Sequence, residues 1–111
     1  MKLDQLIVSY PKLFSSSFYF ECGEGWYDLL DHLCGLIQNH VTHVGLDQVE
    51  VTQVKEKFGE LRFYYMGGDE YIDGAVVLAM NLSTHICDIC GNPGKLMGKG
   101  WMRTVCDEHS N

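Results

Sequence analysis

Four residues near the end of the chain have the types and spacing of a zinc site. Cys87 and Cys90 stand three positions apart in Cys-Asp-Ile-Cys-Gly, and Cys106 and His109 repeat that spacing after fifteen intervening residues. Thiolate sulfur and imidazole nitrogen are ligands that Zn²⁺ prefers, and two such pairs complete a closed tetrahedral set. The sequence therefore predicts one structural zinc ion (Zn2+) held by these four side chains.

Two alternatives to this metal site stay open at this point. His85 lies two residues before Cys87 and could replace His109 as the fourth ligand. His40 and His43 could bind a second metal, but a helix C-terminus also favours imidazole cations, and the sequence indicates no third ligand there. A catalytic zinc keeps one coordination position open, whereas three cysteines and one histidine close the sphere.

Catalytic motifs of other kinds are not recognisable in the sequence. We find no nucleophile elbow, phosphate-binding loop or paired-carboxylate motif, so we expect a protein without catalytic residues. Cys22 and Cys34 lack Cys-x-x-Cys spacing, and Cys34 falls on an apolar stripe where a buried, unreactive thiol is expected. Three ligand thiols and two ordinary thiols fit a reducing, cytoplasmic compartment. No apolar run approaches the roughly 20 residues of a membrane span, and Asp4 and Gln5 interrupt the only early apolar stretch, so no signal peptide is expected.

The sequence pattern predicts helices and strands that together form an α+β fold in one domain, residues 1–111. Residues 85–111 form a zinc-binding subdomain within it. Apolar spacing predicts a first helix over residues 2–9, which Pro11 ends. A second helix of about four turns follows Gly23-Glu24-Gly25. A third helix, capped by Asp69, presents small side chains to the rest of the fold. The stretch 13–21 has no firm assignment.

A β-hairpin is predicted from Val49 to Met66, with Gly59-Glu60 as a two-residue type II′ turn. This register places five side chains on an apolar face: Val54, Phe58, Leu61, Phe63 and Tyr65. Glu56 interrupts that face, which leaves the register open. The opposite face carries a basic and aromatic patch that we predict to bind a partner: Lys55, Lys57, Arg62 and Tyr64. The alternative is an ordinary solvated strand face.

The zinc subdomain has the sequence features of a treble-clef-like module. The glycine after Cys90 suits a knuckle, and Leu96-Met97 with Trp101–Val105 predict a second hairpin around Gly98-Lys99-Gly100. Zinc bound by three thiolates and a neutral histidine has a net charge of −1, which the three nearby bases would offset: Lys95, Lys99 and Arg103. Trp26 and Trp101 each fit either a core anchor or an exposed binding residue.

Charge is distributed unevenly along the chain. The net charge is −7, and all of this excess falls in residues 1–84, where the stretch from Leu13 to Val54 contains no lysine or arginine. Such a surface binds nucleic acid poorly, because attraction to phosphates supplies most of the non-specific affinity. Acidic residues near predicted helix starts also have a simple explanation, since carboxylates stabilise helix N-termini.

Three motifs together resemble a known group of proteins. The segments 25–30 (GWYDLL), 54–65 (VKEKFGELRFYY) and 87–109, with its two zinc knuckles, are similar to a family of small uncharacterised proteins from phages, prophages and bacteria. The resemblance begins near Glu24, and residues 1–20 lie outside it. It implies a phage or mobile-element setting and an integral zinc knuckle, and it implies no reaction.

These observations predict a small, non-catalytic zinc protein that acts by protein–protein interaction. The phage resemblance implies a role as an inhibitor of a bacterial host protein, such as a defence component. Within the acidic region 13–54, residues 21–50 would suit a basic, nucleic-acid-binding cleft on that partner, and the basic hairpin face would suit the opposite polarity. The alternative is a nucleic-acid-binding protein that uses the hairpin and the zinc knuckle. An enzyme whose substrate supplies a cofactor, or that uses a second metal, ranks third.

Overall fold

A computed structural model describes residues 2–110 and has an α+β architecture, as the sequence predicts. Within residues 2–110, four strands in two antiparallel hairpins accompany three α-helices and two short 3-10 turns. The elements in chain order are α1 (Asp4–Ser9), a 3-10 turn (Glu24–Trp26), α2 (Tyr27–Val44), β1 (Glu50–Lys57), β2 (Glu60–Met66), α3 (Glu70–Ser83), β3 (Lys95–Met97), β4 (Arg103–Val105) and a second 3-10 turn (Asp107–His109). Within residues 2–110, no helix combines the length and the apolarity that crossing a bilayer requires.

Helix α2 forms along the predicted apolar stripe and continues beyond it. Leu30, Cys34 and Ile37 are fully buried, and the helix runs for 18 residues instead of the expected four turns. It ends at Gly45, whose φ of 80° is left-handed and whose N–H donates to the Val41 carbonyl at 3.0 Å. Glycine is the usual residue at such a helix end, because it adopts this conformation without a Cβ penalty.

The turn of the first hairpin lies one residue earlier than the sequence indicated. Lys57 pairs with Glu60, so Phe58-Gly59 is the two-residue turn, and both residues have positive φ, 54° and 81°. This is the type I′ pattern, whose twist matches that of the strands. The prediction of a Gly59-Glu60 type II′ turn was therefore wrong. Phe58, expected on the apolar face, is instead 62% exposed at the tip.

The main core lies between the β1–β2 hairpin and helices α2 and α3. Val54, Leu61 and Phe63 are buried against Ile72 and Val76 of α3 and the apolar side of α2. A buried hydroxyl fixes the contact between α3 and β2: Ser83 Oγ accepts from the Leu61 N–H at 2.9 Å and donates to the Met80 carbonyl at 2.5 Å. The sequence pattern predicts a face of Ile72, Ala75, Val76, Ala79 and Ser83, and the structure buries all of these except the half-buried Ala75.

The stretch 13–21, which had no assignment, covers the free edge of β1. The Val51 N–H donates to the Leu13 carbonyl at 2.8 Å, and the Glu21 N–H donates to the Val54 carbonyl at 2.9 Å. Between these two points, three phenylalanine rings cluster with centroid distances of 4.8 to 5.4 Å: Phe14, Phe18 and Phe20. The segment therefore protects an otherwise unpaired strand edge from pairing with other chains.

Candidate metal centre

The four predicted zinc ligands come together in space. Their ligand atoms, three Sγ atoms and one imidazole nitrogen, all lie within 4.8 Å of one another. Cys90 Sγ is 3.6 Å from Cys106 Sγ, and His109 Nδ1 is 3.1 Å from Cys106 Sγ and 3.7 Å from Cys87 Sγ. The knuckle after α3 supplies two ligands, and the second 3-10 turn supplies His109, with Cys106 at its N-cap.

This geometry fits a tetrahedral zinc ion. Zinc–sulfur and zinc–nitrogen bonds of about 2.3 and 2.1 Å at tetrahedral angles would separate two sulfurs by about 3.8 Å, and a sulfur from a nitrogen by about 3.6 Å. The observed separations scatter around these values. The four residues are therefore positioned to hold a metal ion, consistent with one zinc.

The alternative metal ligands lie elsewhere. His85 is exposed and is not part of the cluster, so His109 is the fourth member. In residues 2–110 this cluster is the only group of three or more candidate ligands. His40, considered for a second metal with His43, has its Nε2 2.7 Å from Asp69 Oδ2 and its ring stacked on Tyr71 at 4.1 Å.

The environment of Cys87 favours the thiolate that a metal requires. Burial of the side chain opposes ionisation, but backbone hydrogen bonds from Cys90, Cys106 and Ile89 outweigh it and lower the pKa of the Cys87 thiol to about 6. Amide groups that turn toward a sulfur are the usual design of a zinc knuckle. Cys87 is therefore prepared for metal binding by the backbone around it.

The other two thiols have the opposite environment. Burial, followed by the carboxylates of Asp88, Glu24 and Glu56, raises the pKa of Cys22 to about 12. Burial also raises the pKa of Cys34, which is fully enclosed in the core. A thiol that stays protonated is a poor nucleophile and a poor ligand. The expectation that Cys34 is a buried thiol is thus confirmed.

The knuckle is fastened to the segment that begins α2. Asp88 receives two hydrogen bonds from this segment, one from the Gly23 N–H to Oδ1 at 2.6 Å and one from the Gly25 N–H to its carbonyl at 2.9 Å. The indole Nε1 of Trp26 donates to the Ile86 carbonyl at 2.9 Å. Trp26 is fully buried, so of the two tryptophans it is the core anchor.

The zinc module also holds the tip of the first hairpin. Thr104 is buried in β4, and its hydroxyl donates to the Gly59 carbonyl at 2.5 Å. A Cβ on Gly59 would lie 2.3 Å from Leu96 Cδ1, and the φ of 81° there is itself left-handed. The exposed Leu96 side chain could rotate away, but the Arg103 backbone at 3.1–3.2 Å could not, so glycine is the residue that fits this turn with least strain.

The predicted partner-binding residues lie on the outer face of the first hairpin. Lys55 pairs with Arg62 across the strands, Lys57 pairs with Glu60, and Tyr64 is 47% exposed. Acidic residues are interspersed with these bases. Arg62 forms an ion pair with Glu60. Glu21 lies beside Lys55 in a backbone β-bridge, and its carboxylate accepts a hydrogen bond from Gln53 Nε2 at 2.9 Å. This face is therefore mixed in charge.

A cleft between the two hairpins adds residues that the sequence prediction missed. It has a volume of about 250 Å³ and is lined by Lys55, Glu56, Lys57, Phe58, Trp101 and Met102. Phe58 is 62% exposed and Trp101 77% exposed, and Lys57 Nζ lies 5.7 Å from the centre of the Phe58 ring. The sequence signal for the exposed Phe58 was the Phe-Gly dipeptide. When these two residues form a two-residue turn, the phenylalanine side chain lies at the tip of the hairpin and points into solvent.

Comparison with models of protein families, with curated proteins and with solved structures finds no match to this chain.

Proposed function

We propose that this chain is a non-catalytic, zinc-stabilised binding protein that acts on another protein. The zinc is structural in this proposal, because three thiolates and one imidazole fill a tetrahedral sphere and leave no position for a reacting water. The knuckle, the β3–β4 hairpin and the final 3-10 turn then act as a shortened, treble-clef-like module. Its task is to fix one wall of the cleft that carries Trp101.

The observation that carries the proposal is the pair of exposed aromatic side chains at this cleft. Phe58 is the only residue other than glycine with positive φ in residues 2–110. A left-handed conformation costs a side-chain-bearing residue roughly 1–2 kcal/mol, and strain of this kind is concentrated at functional sites. Phe58 thus occupies a costly conformation that places its ring in solvent, opposite an exposed tryptophan.

A protein partner fits this surface better than a nucleic acid does. Glu21 and Glu60 accompany the bases on the hairpin face, and Glu56 lines the cleft, so a phosphate backbone would meet carboxylates as well as lysines. The whole chain adds a net charge of −7. Exposed aromatic side chains within a ring of mixed polar groups are instead typical of protein interfaces, where tryptophan, tyrosine and arginine supply most of the binding energy.

The predicted partner-binding residues then belong to one surface with the cleft. Lys55 and Lys57 would pair with carboxylates of the partner, and Arg62 and Tyr64 would extend the contact along the outer strand face. The phage resemblance adds that the partner is a bacterial host protein in the cytoplasm, with inhibition of a defence component as the consequence. That last step follows from the resemblance alone.

The decisive experiment removes the aromatic side chains without harming the fold. Phe58→Asn creates Asn-Gly, the preferred type I′ sequence, so it should raise the free energy of unfolding by about 1 kcal/mol while removing the ring. Trp101→Ala should leave stability unchanged, because Trp101 is 77% exposed. Tagged variants are compared in pull-downs from bacterial lysate with and without nuclease treatment, read by mass spectrometry. Tyr19→Ala is the control, since Tyr19 is 69% exposed and lies outside the cleft.

We expect one dominant protein to be captured by the unaltered chain and by Tyr19→Ala, and to be lost with Phe58→Asn and with Trp101→Ala. Capture that survives both cleft substitutions would exclude the cleft as the interface. A further substitution of Lys55 and Lys57 by glutamine tests the basic residues, and it should weaken capture most strongly at low salt.

Nucleic acid is the second candidate, and the same cleft supports it. Aromatic side chains beside lysines can stack single-stranded bases and contact phosphates. Gel shifts with single-stranded oligonucleotides would then show binding that falls steeply with salt and is weakened by Trp101→Ala. Nuclease-sensitive capture of many proteins would favour this candidate over the first.

A further inference from the structure

The cleft between the two hairpins combines apolar and basic lining residues. Phe58, Trp101 and Met102 supply the apolar part, and Lys55 and Lys57 supply positive charge. Its volume of about 250 Å³ is below the roughly 300–1,000 Å³ of pockets that enclose a whole small molecule. A cleft of this size instead accommodates one or two side chains of a partner protein.

The two cleft lysines have no carboxylate of their own. Among residues 2–110, the ion pairs are those of His40 with Asp69 and of Arg62 with Glu60. Lys55 also lies directly opposite Arg62 across the strands, and like charges in that position repel each other. A carboxylate from a partner would therefore meet unpaired ammonium groups and relieve this repulsion.

A carboxylate also lines the cleft, but it is already engaged. Glu56 Oε2 accepts the Gly59 N–H at 2.7 Å, so this side chain is directed to the backbone of the turn. Lys57 Nζ lies 5.7 Å from the centre of the Phe58 ring, a contact that leaves the ammonium N–H groups able to bind a carboxylate. The cleft thus presents two ammonium groups beside exposed aromatic side chains.

Charge is separated along the molecule in a way that directs an acidic partner to the hairpins. Residues 50–66 and 95–105, which form the two hairpins, contain six bases and three glutamates, a net charge of +3. The total charge is −7, so the rest of the chain carries −10. Because exposed charges beyond about 8 Å are largely screened at physiological salt, a short acidic segment is attracted locally at the hairpins and repelled elsewhere.

The spacing of the lysines suits an extended segment. Lys55 and Lys57 are two positions apart on β1, so their side chains project from the same face of the strand roughly 7 Å apart. An extended peptide has the same repeat, and acidic residues at its alternate positions can therefore meet both lysines. A nucleic acid instead carries a phosphate at every nucleotide and would continue from the hairpins onto the acidic remainder of the chain.

We infer that the cleft binds a short, extended, acidic segment of the partner protein. Its carboxylates, at alternate positions, pair with Lys55 and Lys57. One large apolar side chain beside them packs against Phe58 and Trp101, and the flexible thioether of Met102 adapts to its shape. The inference rests on the proposed function, because it specifies the chemistry of the partner at the same cleft.

The probe is a synthetic peptide of about seven residues with blocked ends, Phe-Ser-Glu-Ser-Glu-Ser-Phe. Its phenylalanine and glutamate side chains share one face when the peptide is extended, and its symmetry lets it align with β1 in either direction. One control peptide has glutamine in place of glutamate, and the other has serine in place of phenylalanine. Binding to the zinc-loaded full chain is measured by ¹⁵N chemical-shift titration, which reports both the affinity and the amides involved.

We expect each control peptide to bind about tenfold more weakly than the probe, with shifts confined to the amides that line the cleft. Lys55→Gln and Lys57→Gln should each weaken binding about threefold, and Trp101→Ala about tenfold. Lys12→Gln is the matched control, because Lys12 is exposed, carries the same charge and does not line the cleft. Circular dichroism and zinc content confirm that each variant is folded.

Four results would overturn the inference. Equal affinity for the glutamine peptide would show that charge is not read, and equal weakening by Lys12→Gln would reduce the contact to general electrostatic attraction. Shifts away from the cleft would place the contact elsewhere. A single-stranded oligonucleotide that binds the same amides more tightly than the probe would assign the cleft to nucleic acid.

Failure of the proposed function has a different signature. The probe is added to the pull-down from bacterial lysate at a concentration that saturates the cleft, and we expect it to displace the captured protein while the glutamine peptide does not. Capture that depends on Phe58 and Trp101 but resists the probe would overturn this inference and leave the proposed function standing. Capture that survives Phe58→Asn and Trp101→Ala would instead overturn the proposed function itself.

Discussion

At Gly25, as at Gly23, an added Cβ would clash with the backbone of the zinc knuckle. A Cβ built there would lie 2.1 Å from the Cys87 carbonyl oxygen, 2.6 Å from the Gly91 nitrogen and 2.7 Å from the Asp88 carbonyl carbon. All three are backbone atoms of the zinc knuckle, so no side-chain rotation relieves the clash. Gly25→Ala must therefore separate the knuckle from the start of α2, breaking the Gly25 hydrogen bond to Asp88.

The cost follows from this geometry. Overpacking that side-chain movement can absorb costs about 1–3 kcal/mol, and a clash with fixed backbone falls at or above the top of that range. For a chain of this size, about 3 kcal/mol corresponds to a fall in Tm of roughly 10 °C or more. The assay is a thermal melt of the zinc-loaded protein by circular dichroism, with hydrogen exchange to locate the loosened amides at residues 23–26 and 86–91.

Gly74 provides the matched control. It lies on the exposed side of α3, where a Cβ would meet nothing within 4 Å. Gly74→Ala should therefore stabilise the protein by about 0.5–1 kcal/mol, the usual gain in a helix interior. If Gly25→Ala melts within a few degrees of the unaltered chain while Gly74→Ala behaves as expected, the described contact between the knuckle and α2 is wrong.

Two further predictions concern the metal and one ion pair. Complete chelation of zinc should unfold residues 85–110, because structural zinc contributes on the order of 10 kcal/mol, comparable with the whole stability of a small domain. Three more thiols should then react with a thiol reagent. A thermal melt that stays native after demetallation would contradict this prediction. The hydrogen bond from His40 lowers the pKa of Asp69, so the stability that this carboxylate contributes is present above its unfolded pKa, about 3.9, and is lost as the pH falls through its lower folded value. The Tm difference between the unaltered chain and Asp69→Asn should therefore shrink as the pH falls below about 4, and a difference constant with pH would exclude the pairing.

The sequence predicted the elements that depend on strong local patterns. The ligand set could be predicted because the three-residue spacing of Cys87 and Cys90, and of Cys106 and His109, lets one turn present two ligand atoms to the same ion. Helix α3 was recoverable because Asp69 is a recognisable N-cap, and its side chain does accept the Ile72 N–H at 3.1 Å. In both cases the information lies within a few neighbouring residues.

The features that the sequence did not predict depend on contacts between distant segments. The sequence allows Gly59 at either position of a two-residue turn. The pairing of Lys57 with Glu60 makes it the second, and the hydroxyl of Thr104 in the second hairpin then bonds to its carbonyl. Residues 13–21 have no periodic pattern, because they run along the edge of β1 and obtain their hydrogen bonds from it. Such pairings have no signature in a single sequence.

The metal and the cleft are connected through packing. The second core of the molecule is small, with Cys87, Val105 and Cys106 buried and Met97 against them, so it has little apolar surface to hold it together. Below about 40 residues, a module usually needs a metal or a disulfide to remain folded. Trp101 lies in the loop that this module supports, and Thr104 joins the module to the turn that displays Phe58. A zinc ion held by the four ligands would therefore keep the two aromatic side chains at a fixed distance without lining the cleft, and under the proposed function its removal should abolish partner capture.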